Sequence, residues 1–593
     1  MKKLMTGNEA VARGAYEAGV RFASAYPGTP STEILEEIST TYKEIKSEWA
    51  TNEKVALEAA IGASISGVRS MASMKHVGLN VASDPLFTFA YTGVNAGMVL
   101  ISADEPGQHS SQNEQDNRNY AKAAKIPMFE PSTSQESKDM IKAAFEISED
   151  YDVPVLIRMT TRGCHSKGIV ECEERSEVSF KEYQKNVNKY MTVPAFAREM
   201  RKNVEVRLKK LEQYSETSLF NRIEMNDKKI GVISSGVAYS YAKEVFGDNA
   251  SYLKLGFTNP LPKGMLKDFC SSVEKIYVIE ENDPYIEEMV KMLGFTCHGK
   301  DTFPAYGELT QDVLRKALYG QSLPVIEYDR SKVLPRPPLL CAGCPHRGFF
   351  YELGKRKNVV VAGDIGCYTL GFAEPYNAMD FNICMGASFS TGHGAQIGFD
   401  IQNSNKRVVS VLGDSTFFHT GINSLIEVLY NNSRTVNVIL DNRITGMTGH
   451  QENPGSGRHA DKSNAPVMDI EAIVRALGAK NIATVNPNDL EEVKSTLDWA
   501  LSLDEPSVII TRWPCVLKRL TQQDKEEFRD VFKSKCVVVE DMCVGCKLCL
   551  KSGCSAVSFN KDTKKAVIDS VQCVGCGVCA QICPKSSISK ENE

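Results

Sequence analysis

The chain has no long run of apolar residues. None of its hydrophobic stretches approaches the roughly 18–20 consecutive apolar residues that a membrane-spanning helix needs. Its first residues, MKKLMTGNEAVARGAYEAG, include two lysines but no apolar stretch behind them of the kind found in secretory signal peptides. The sequence therefore argues against a membrane protein and against export, and we expect a cytoplasmic protein.

Positive charge is not in excess either. The chain has 69 Lys and Arg against 74 Asp and Glu, a net charge of −5, so it offers no broad basic field for nucleic acid. Its 593 residues, 42% hydrophobic and 24% charged, are ordinary for a soluble globular protein of about four domains.

Cysteine, by contrast, is abundant. Most of the 18 cysteines stand in metal-ligand spacings rather than in a secreted disulfide pattern, which calls for a reducing compartment. Two runs near the C-terminus begin 30 residues apart: Cys543-x2-Cys546-x2-Cys549-x4-Cys554 and Cys573-x2-Cys576-x2-Cys579-x3-Cys583-Pro584.

These runs resemble two-cluster bacterial ferredoxins, in which the fourth Cys of each run ligates the other [4Fe–4S] cluster. The resemblance implies one cluster on Cys543, Cys546, Cys549 and Cys583, and another on Cys573, Cys576, Cys579 and Cys554. Zinc and disulfides are the alternatives, but zinc sites usually use two CxxC pairs with a longer spacer. The first run departs from the pattern, with four residues before its last Cys and Ser555 in place of proline.

Strand-like apolar runs such as MVLISAD, KRVVSVLGD and TVNVILDN alternate with helix-like segments along most of the chain. This alternation predicts α/β units with parallel sheets, whose functional groups sit at the carboxyl ends of strands. The proline-rich stretch LPVIEYDRSKVLPRPPLL marks a boundary near residue 335. We predict α/β units over 1–177, 226–334 and 335–534, an exposed helical connector without strands over 178–225, and a ferredoxin domain over 535–593.

The third α/β unit contains a candidate cofactor site. Gly413, Asp414 and Ser415 follow one predicted strand, and Asn442 ends another, 28 residues after Asp414. Asp and Asn oxygens suit Mg²⁺, which completes its shell with substrate phosphates, and a helix start offers amide donors to phosphate. The pattern resembles the thiamine diphosphate motif, GDG followed some 30 residues later by N, with Ser415 in place of the last Gly. By that resemblance the backbone carbonyl of Ile444 is a third metal ligand.

A thiamine enzyme also needs a carboxylate against the aminopyrimidine ring to promote deprotonation of the thiazolium carbon. Glu53, at the start of the small-residue helix EKVALEAAIGASISG, is our candidate, and Glu58 on the same helix is its rival. The loop AYPGTPSTE suits a turn that brings Thr29, Thr32 or backbone groups toward substrate or cofactor.

Together these features resemble the 2-oxoacid:ferredoxin oxidoreductases. SAYPGTPSTEI, MKHVGLNVASDPL and CAGCPHRGFF further resemble the large α subunits of indolepyruvate ferredoxin oxidoreductases, and the likeness covers essentially the whole chain. It implies a pyrimidine-binding-type thiamine diphosphate domain over 1–177, a transketolase C-terminal-like domain over 226–334 and a diphosphate-binding domain over 335–534.

The resemblance also implies a reaction and partners. The reaction is oxidative decarboxylation of an aryl pyruvate with coenzyme A, giving aryl-acetyl-CoA, CO₂ and two reduced ferredoxins. The implied partners are a smaller β subunit and free ferredoxin. We expect at least two copies of the heterodimer of this chain and the β subunit to associate. We expect neither nucleic acid nor membrane to be involved. Among the histidines near motif loops, His76 in KHVGLN is our candidate acid–base or oxyanion group.

A third cluster is a further expectation. Cys341-x2-Cys344 precedes Cys367, as in related pyruvate-type enzymes that hold a cluster near the thiazole ring, and Cys515 is the candidate fourth ligand. Pro345-His346 after the CxxC departs from that pattern, and a CxxC alone is often structural or zinc-bound. The remaining cysteines are expected to be ordinary thiols: Cys164, Cys172, Cys270, Cys297, Cys384 and Cys536.

Two alternatives stay open. The enzyme could act on another 2-oxoacid, since no decisive substrate residue is evident. In a different class, the chain could be an electron-transfer or scaffold subunit with a vestigial thiamine fold. The presence of Asp414, Asn442 and Glu53 argues against this second alternative. The sequence does not decide whether a thiamine site forms within one chain or between two copies.

Overall fold

A computed structural model describes residues 1–324, 326–334, 336–528 and 534–591. They form two compact units, Met1–Tyr328 (unit 1) and Asp329–Glu593 (unit 2). Residues 335 and 593, which limit two of the predicted domains, lie outside the described residues. Unit 1 takes in the first two predicted segments and the third as far as Tyr328, and unit 2 takes in the third α/β segment and the ferredoxin segment.

The strands of unit 1 are β1 Lys2–Thr6, β2 Phe22–Ala25, β3 Lys46–Trp49, β4 Ser70–Lys75, β5 Met98–Asp104, β6 Met128–Phe129, β7 Val155–Thr160, β8 Lys167–Glu171, β9 Arg222–Glu224, β10 Ile230–Ser235, β11 Ser251–Leu255, β12 Phe257–Asn259 and β13 Lys275–Ile279. Its main sheet has the order β12-β6-β7-β5-β4-β2-β3 and is parallel except for β12. A second sheet has the order β13-β10-β11-β9, and β1 pairs with β8. The central strands β4, β5 and β7 are buried along their whole length, as expected for parallel strands covered on both faces.

The helices of unit 1 are α1 Gly7–Glu17, α2 Thr32–Thr41, α3 Glu53–Ser66, α4 His76–Val81, α5 Ser83–Thr92, α6 Arg118–Ala124, α7 Ser134–Asp150, α8 Thr161–His165, α9 Val187–Tyr190, α10 Pro194–Thr217, α11 Gly236–Phe246, α12 Lys263–Ser272, α13 Tyr285–Met292 and α14 Gln311–Tyr319. Local chemistry fixes the ends of α3. The side chain of Asn52 accepts a hydrogen bond from the Val55 N–H at its start, and Gly67, with φ 106°, ends it in a left-handed conformation.

Residues 178–225 contain helices α9 and α10, but they also contain strand β9 and a buried helix face, which the expectation of an exposed connector without strands did not include. Helix α10 buries an apolar face that includes Met200, Val204 and Leu211, and β9 extends the second sheet. The second α/β segment is not separate from the first either, because β12 joins the edge of the main sheet beside β6. Both corrections have one physical cause: a short strand or amphipathic helix is placed by the partner it packs on, which may be far away in sequence.

The strands of unit 2 are β14 Val359–Ala362, β15 Arg407–Gly413, β16 Val436–Asp441, β17 Asn481–Val485, β18 Ser507–Arg512, β19 Cys536–Val538, β20 Val557–Asn560, β21 Lys565–Ile568 and β22 Ile588–Lys590. A five-stranded parallel sheet has the order β14-β15-β16-β18-β17. Two antiparallel pairs, β19 with β22 and β20 with β21, build the C-terminal module.

The helices of unit 2 are α15 His346–Leu353, α16 Ser388–Ile401, α17 Asp414–Thr416, α18 Ile422–Tyr430, α19 Ile470–Ala476, α20 Leu490–Ser502, α21 Gln522–Glu527 and α22 Val578–Ile582. Between α17 and α18 the chain continues as a π-helical segment, Phe417–Gly421, a conformation often found at functional sites. Within the described ranges, we find no helix with both the length and the apolar character that a membrane crossing requires.

Candidate functional site

Glu53 is the buried carboxylate of helix α3, and Glu58 is not. The Glu53 side chain packs against the start of α4, where a Cβ built on Gly78 would lie 2.6 Å from Glu53 Cγ and 2.8 Å from its Oε1. Glu58 is exposed and pairs with Lys54 one helical turn away. An exposed carboxylate of this kind is solvated and poorly placed for a proton relay, so the geometry favours Glu53 over its rival.

His76 follows β4 directly and is fully buried. Its Nε2 lies 3.2 Å from the Asn113 carbonyl oxygen, and its own carbonyl accepts from Asn117 Nδ2 at 3.1 Å. Burial, and next the charge of Lys75, lower the pKa of His76 to about 4. The imidazole is therefore neutral at pH 7, and it can position groups near the strand end but cannot supply a positive charge there.

The loop after β2 lies against the same strand end. A Cβ on Gly28 would lie 3.0 Å from Lys75 Cβ, and Lys75 Nζ pairs with Glu105 at 3.0 Å. The Oγ1 of Thr32 is buried and has no hydrogen-bond partner within the described residues. This loop is therefore packed onto the carboxyl edge of the sheet, as its predicted role requires.

In unit 2, Asp414 stands at the carboxyl end of β15 and begins α17. Its Oδ2 accepts a hydrogen bond from Asn453 Nδ2 at 3.0 Å. Burial, and next repulsion from Asp441, raise the pKa of Asp414 to about 7. A buried carboxylate with so little compensating charge is a place where a bound cation stabilises the ionised form.

Gly413 allows strand β15 and a tyrosine side chain to approach each other closely. A side chain at this position would come within 2.6 Å of the Tyr368 ring, whose hydroxyl pairs with Thr416 Oγ1 at 2.7 Å. The close approach of Gly413 is therefore to Tyr368 among the described residues, and that tyrosine packs under the start of α17.

Asn442 follows the neighbouring strand β16, and the two strand ends meet. Its Oδ1 accepts from the Ile444 N–H at 3.2 Å, and Thr445 Oγ1 lies 2.9 Å from Ser415 Oγ. The side-chain oxygens of Asp414 and Asn442 and the carbonyl of Ile444 thus belong to adjoining loops. This oxygen donor set fits Mg²⁺, although within the described ranges no three His, Cys, Asp or Glu side chains form a metal group by themselves.

Asp364 is a residue of this edge that sequence reasoning missed. It lies after β14 in GDIGC, and its oxygens accept from the backbone N–H groups of Gly386 at 2.8 Å and Ser388 at 2.9 Å. These bonds hold the loop before α16 against the end of β14. The Asp was visible in the sequence, but only the cysteine of that motif was interpreted.

Three cysteines of the third set, Cys344, Cys367 and Cys515, have pKa values raised by burial and by other thiols of the set. Neighbouring thiols add to each shift: Cys515 and Cys367 act on Cys344, Cys515 and Cys341 act on Cys367, and Cys341 acts on Cys515. Ionising several neighbouring buried thiols is costly. A bound metal compensates the negative charge of the thiolates when it replaces their protons.

This cysteine group adjoins the loop that follows Asn442. The Cys515 N–H donates to the Asn442 carbonyl at 3.0 Å, and a Cβ on Gly446 would lie 3.6 Å from Cys367 Sγ. Residues far apart in sequence are therefore gathered beside the candidate diphosphate site.

The C-terminal module contains two cysteine-lined cavities. One is lined by Cys543, Cys546, Cys549 and Cys583, and the other by Cys554, Cys573, Cys576 and Cys579 together with Cys536. Apart from Cys536, these are the two sets that the ferredoxin resemblance implies, with the fourth Cys of each run exchanged. Because each thiolate of a [4Fe–4S] cluster binds a different corner iron, a ring of thiols around a cavity fits the group better than convergence on one point.

The second cavity also touches the third cysteine group. Gly343 and Arg347 line it, and a Cβ on Gly343 would collide with Val574, between Cys573 and Cys576. The buried guanidinium of Arg347 donates to the Cys341 carbonyl at 2.8 Å and to the carbonyls of Leu340 and Gly553. Tyr376 Oη donates to the Ser552 carbonyl at 2.7 Å. The ferredoxin-like module is thus fastened to the parallel-sheet part of unit 2 next to Cys554.

Three family models match the chain. Pyruvate flavodoxin/ferredoxin oxidoreductase, thiamine diP-binding, matches residues 13–225, and the C-terminal TPP binding domain of thiamine pyrophosphate enzymes matches residues 364–511. The 4Fe-4S binding domain matches residues 566–589, around the second cysteine run. The chain is thus a thiamine pyrophosphate-dependent 2-oxoacid:ferredoxin oxidoreductase with iron–sulfur clusters, and the predicted fold class is confirmed.

Full-length relatives narrow this class. The chain is 40% identical to indolepyruvate oxidoreductase subunit IorA of Pyrococcus horikoshii, over 100% of this chain and 97% of the relative. It is 42% identical to the IorA subunit of Methanothermobacter marburgensis, over 99% of this chain and 97% of that one. The chain belongs to the IorA family of indolepyruvate oxidoreductase subunits, which confirms the predicted family.

Among solved structures, a 2-oxoglutarate:ferredoxin oxidoreductase from Magnetococcus marinus matches at a TM-score of 0.41 and 17% identity. It covers 50% of this chain and 62% of that one, a likeness too slight to support a conclusion.

Proposed function

We propose that this chain is the catalytic α subunit of an enzyme that oxidatively decarboxylates aryl pyruvates, indolepyruvate among them, with coenzyme A. The products are the aryl-acetyl-CoA, CO₂ and two reduced ferredoxins. The names of the full-length relatives support the substrate. The observation that supports the chemistry best lies in unit 2, where three cysteine groups follow one another from the Asp414–Asn442 edge into the ferredoxin-like module.

The diphosphate of the cofactor would be held through Mg²⁺ bound to Asp414, Asn442 and the carbonyl of Ile444. Thiamine diphosphate, when bound, supplies an acidic carbon that takes up the 2-oxoacid and accepts the electron pair released with CO₂. The raised pKa of Asp414 supports this assignment, because a divalent cation would compensate that buried carboxylate.

Glu53 would hold the proton of the aminopyrimidine. Its burial at the start of α3 removes competition from water, and its contact with Gly78 fixes its position. A proton moved at the ring nitrogen by Glu53 promotes loss of the proton from the thiazolium carbon, a general acid–base role typically worth about 10²–10⁴-fold in rate. His76 would position the neighbouring strand end as a neutral imidazole.

Electrons would leave through three clusters. Cys341, Cys344, Cys367 and Cys515 would hold the first, beside Asn442. Cys554, Cys573, Cys576 and Cys579 would hold the second, whose cavity is lined by Gly343 of the first group's loop. Cys543, Cys546, Cys549 and Cys583 would hold the third, the outlet toward free ferredoxin. One-electron carriers in series suit an oxidation that yields two electrons and an acceptor that takes them singly.

We also propose the assembly and its location. A smaller β subunit would complete the enzyme, and at least two heterodimers would associate, with the thiamine site formed either within one chain or between two copies. The clusters and the many free thiols favour the cytoplasm as a reducing compartment.

The experiment is anaerobic iron, sulfide and thiamine analysis of the chain purified with its partner, followed by turnover with indolepyruvate, coenzyme A and ferredoxin. We expect about twelve irons and about one thiamine per chain, with turnover that requires coenzyme A. About eight irons would make the Cys341 group structural. Iron without thiamine would overturn the catalytic proposal and leave an electron-transfer subunit, and turnover confined to another 2-oxoacid would overturn the substrate.

A further inference from the structure

A fifth cysteine lines one of the two cavities of the ferredoxin-like module. Cys536 stands outside both ligand runs, yet it lies against the cavity formed by Cys554, Cys573, Cys576 and Cys579. Only 2% of its surface is exposed, and it shares the lining of this cavity with Cys573 and Cys579. The sequence alone, which places Cys536 outside any ligand spacing, does not indicate this position.

The backbone holds Cys536 in that place. It begins strand β19, where it is paired with Lys590 of β22, and its N–H donates to Cys573 Sγ at 3.3 Å. The strand pair fixes the backbone of Cys536 at the cavity wall. A short movement of the side chain alone, by contrast, changes which of its neighbours the sulfur approaches.

The other cavity provides an internal comparison. Among its described lining residues the cysteines are Cys543, Cys546, Cys549 and Cys583, and no fifth cysteine joins them. The two cavities thus share one ligand pattern and differ by one buried thiol.

We propose that Cys536 is a reserve ligand for the second cluster. When Cys573 or Cys579 is lost or oxidised, the Cys536 sulfur binds the corner iron that the missing thiolate leaves. The exchange replaces one iron–sulfur bond by another, releases the Cys536 proton to solvent and changes no oxidation state. This inference rests on the proposed assignment of that cluster to Cys554, Cys573, Cys576 and Cys579.

A reserve ligand would protect the second cluster against the oxidation of one of its thiolates. Thiolates that ligate clusters are open to oxidation when a cluster is exposed to oxygen, and loss of one ligand releases its iron. A fifth thiol already in the cavity wall captures that iron before it leaves. The second cavity adjoins the loop of Cys341 and Cys344, so the protected cluster is the one that links the other two.

The test uses the full chain with its partner, purified without oxygen, and compares C573A, C536A and the double variant C573A/C536A with the wild type. Iron and sulfide per chain are measured, and electron paramagnetic resonance detects [3Fe–4S] clusters. We expect C536A and C573A to keep the wild-type iron content without a [3Fe–4S] signal. We expect the double variant to lose iron or show that signal.

C543A is the matched control, because its cavity has no fifth cysteine, and it should lose iron as a single variant. C579A is a second route to the same result should C573A fail to fold, since Cys579 lines the same cavity as Cys536. Iron loss in C573A and C579A equal to that in C543A would overturn the proposal. A wild-type chain without clusters would instead overturn the proposed function, so the two failures are distinguishable.

Discussion

Adding one methyl group at Gly78 should displace the carboxylate that we assign to the aminopyrimidine. In Gly78→Ala the new Cβ would lie 2.6 Å from Glu53 Cγ and 2.8 Å from Glu53 Oε1, closer than real Cβ contacts. The Glu53 side chain must therefore turn away, while the backbone of α3 and α4 can stay in place.

The size of the effect follows from the displacement. A misplacement of about 1 Å in a reacting group costs on the order of 100-fold in rate, which corresponds to about 2.7 kcal/mol of barrier. Overpacking costs about 1–3 kcal/mol of stability, and Ala regains up to about 1 kcal/mol over Gly in a helix. The variant should therefore lose between about 0 and 3 kcal/mol of stability, while its rate falls on the order of 100-fold.

The assay is proton–deuterium exchange at the thiazolium carbon of bound thiamine, followed by acid quench and NMR. It reports the step assigned to Glu53 without requiring the clusters. The matched control is Gly62→Ala on α3, where the added Cβ meets nothing within 4 Å. Exchange in Gly78→Ala at the wild-type rate, with thiamine bound, would refute the role of Glu53.

Three further predictions follow from the two units. Asp414→Asn should abolish the Mg²⁺-dependent part of the affinity for thiamine diphosphate, measured by titration calorimetry. Chelation of Mg²⁺ should have the same effect on the wild type. Equal affinity of the wild type with and without Mg²⁺ would contradict the metal assignment. His76 has its pKa lowered to about 4 from 6.5, so the unfolded chain takes up the proton first. The free energy of unfolding should therefore fall as the pH drops below 6.5, by about 2 kcal/mol at pH 5. Urea unfolding of His76→Asn should lack this loss. An equal pH dependence in the wild type and the variant would contradict the lowered pKa. Arg347→Ala should slow electron transfer to ferredoxin and leave thiazolium exchange unchanged, whereas Arg475→Ala, which removes a surface pair with Glu471, should change neither.

Strands with continuous apolar runs could be predicted from the sequence because parallel strands are buried on both faces. MVLISAD, KRVVSVLGD and TVNVILDN correspond to β5, β15 and β16. Strand β4 was not visible in this way, since SMASMK has only methionines as large apolar residues. It is nevertheless central, because small residues pack closely and its first serine donates to the Ala60 carbonyl at 2.7 Å.

The candidate site could be predicted in part for a similar reason. Asp414 and Asn442 stand at strand ends with a fixed spacing, so their proximity follows from the order of the strands. The structural role of Asp364 and the position of Cys536 depend on contacts between distant segments. Spacing along the chain contains no information about either contact.

The attachment of the ferredoxin-like module affects how turnover depends on solvent viscosity. Arg347 and Tyr376 make this attachment through hydrogen bonds to Gly553 and Ser552. They fasten the ferredoxin-like module to the sheet that bears Asp414, so no swinging arm has to travel between the cofactor edge and the outlet. On the proposed electron route, the mobile step would instead be the arrival of external ferredoxin near Cys546, which is exposed. Raising the solvent viscosity should therefore lower the turnover rate at subsaturating ferredoxin and leave the rate at saturating ferredoxin unchanged.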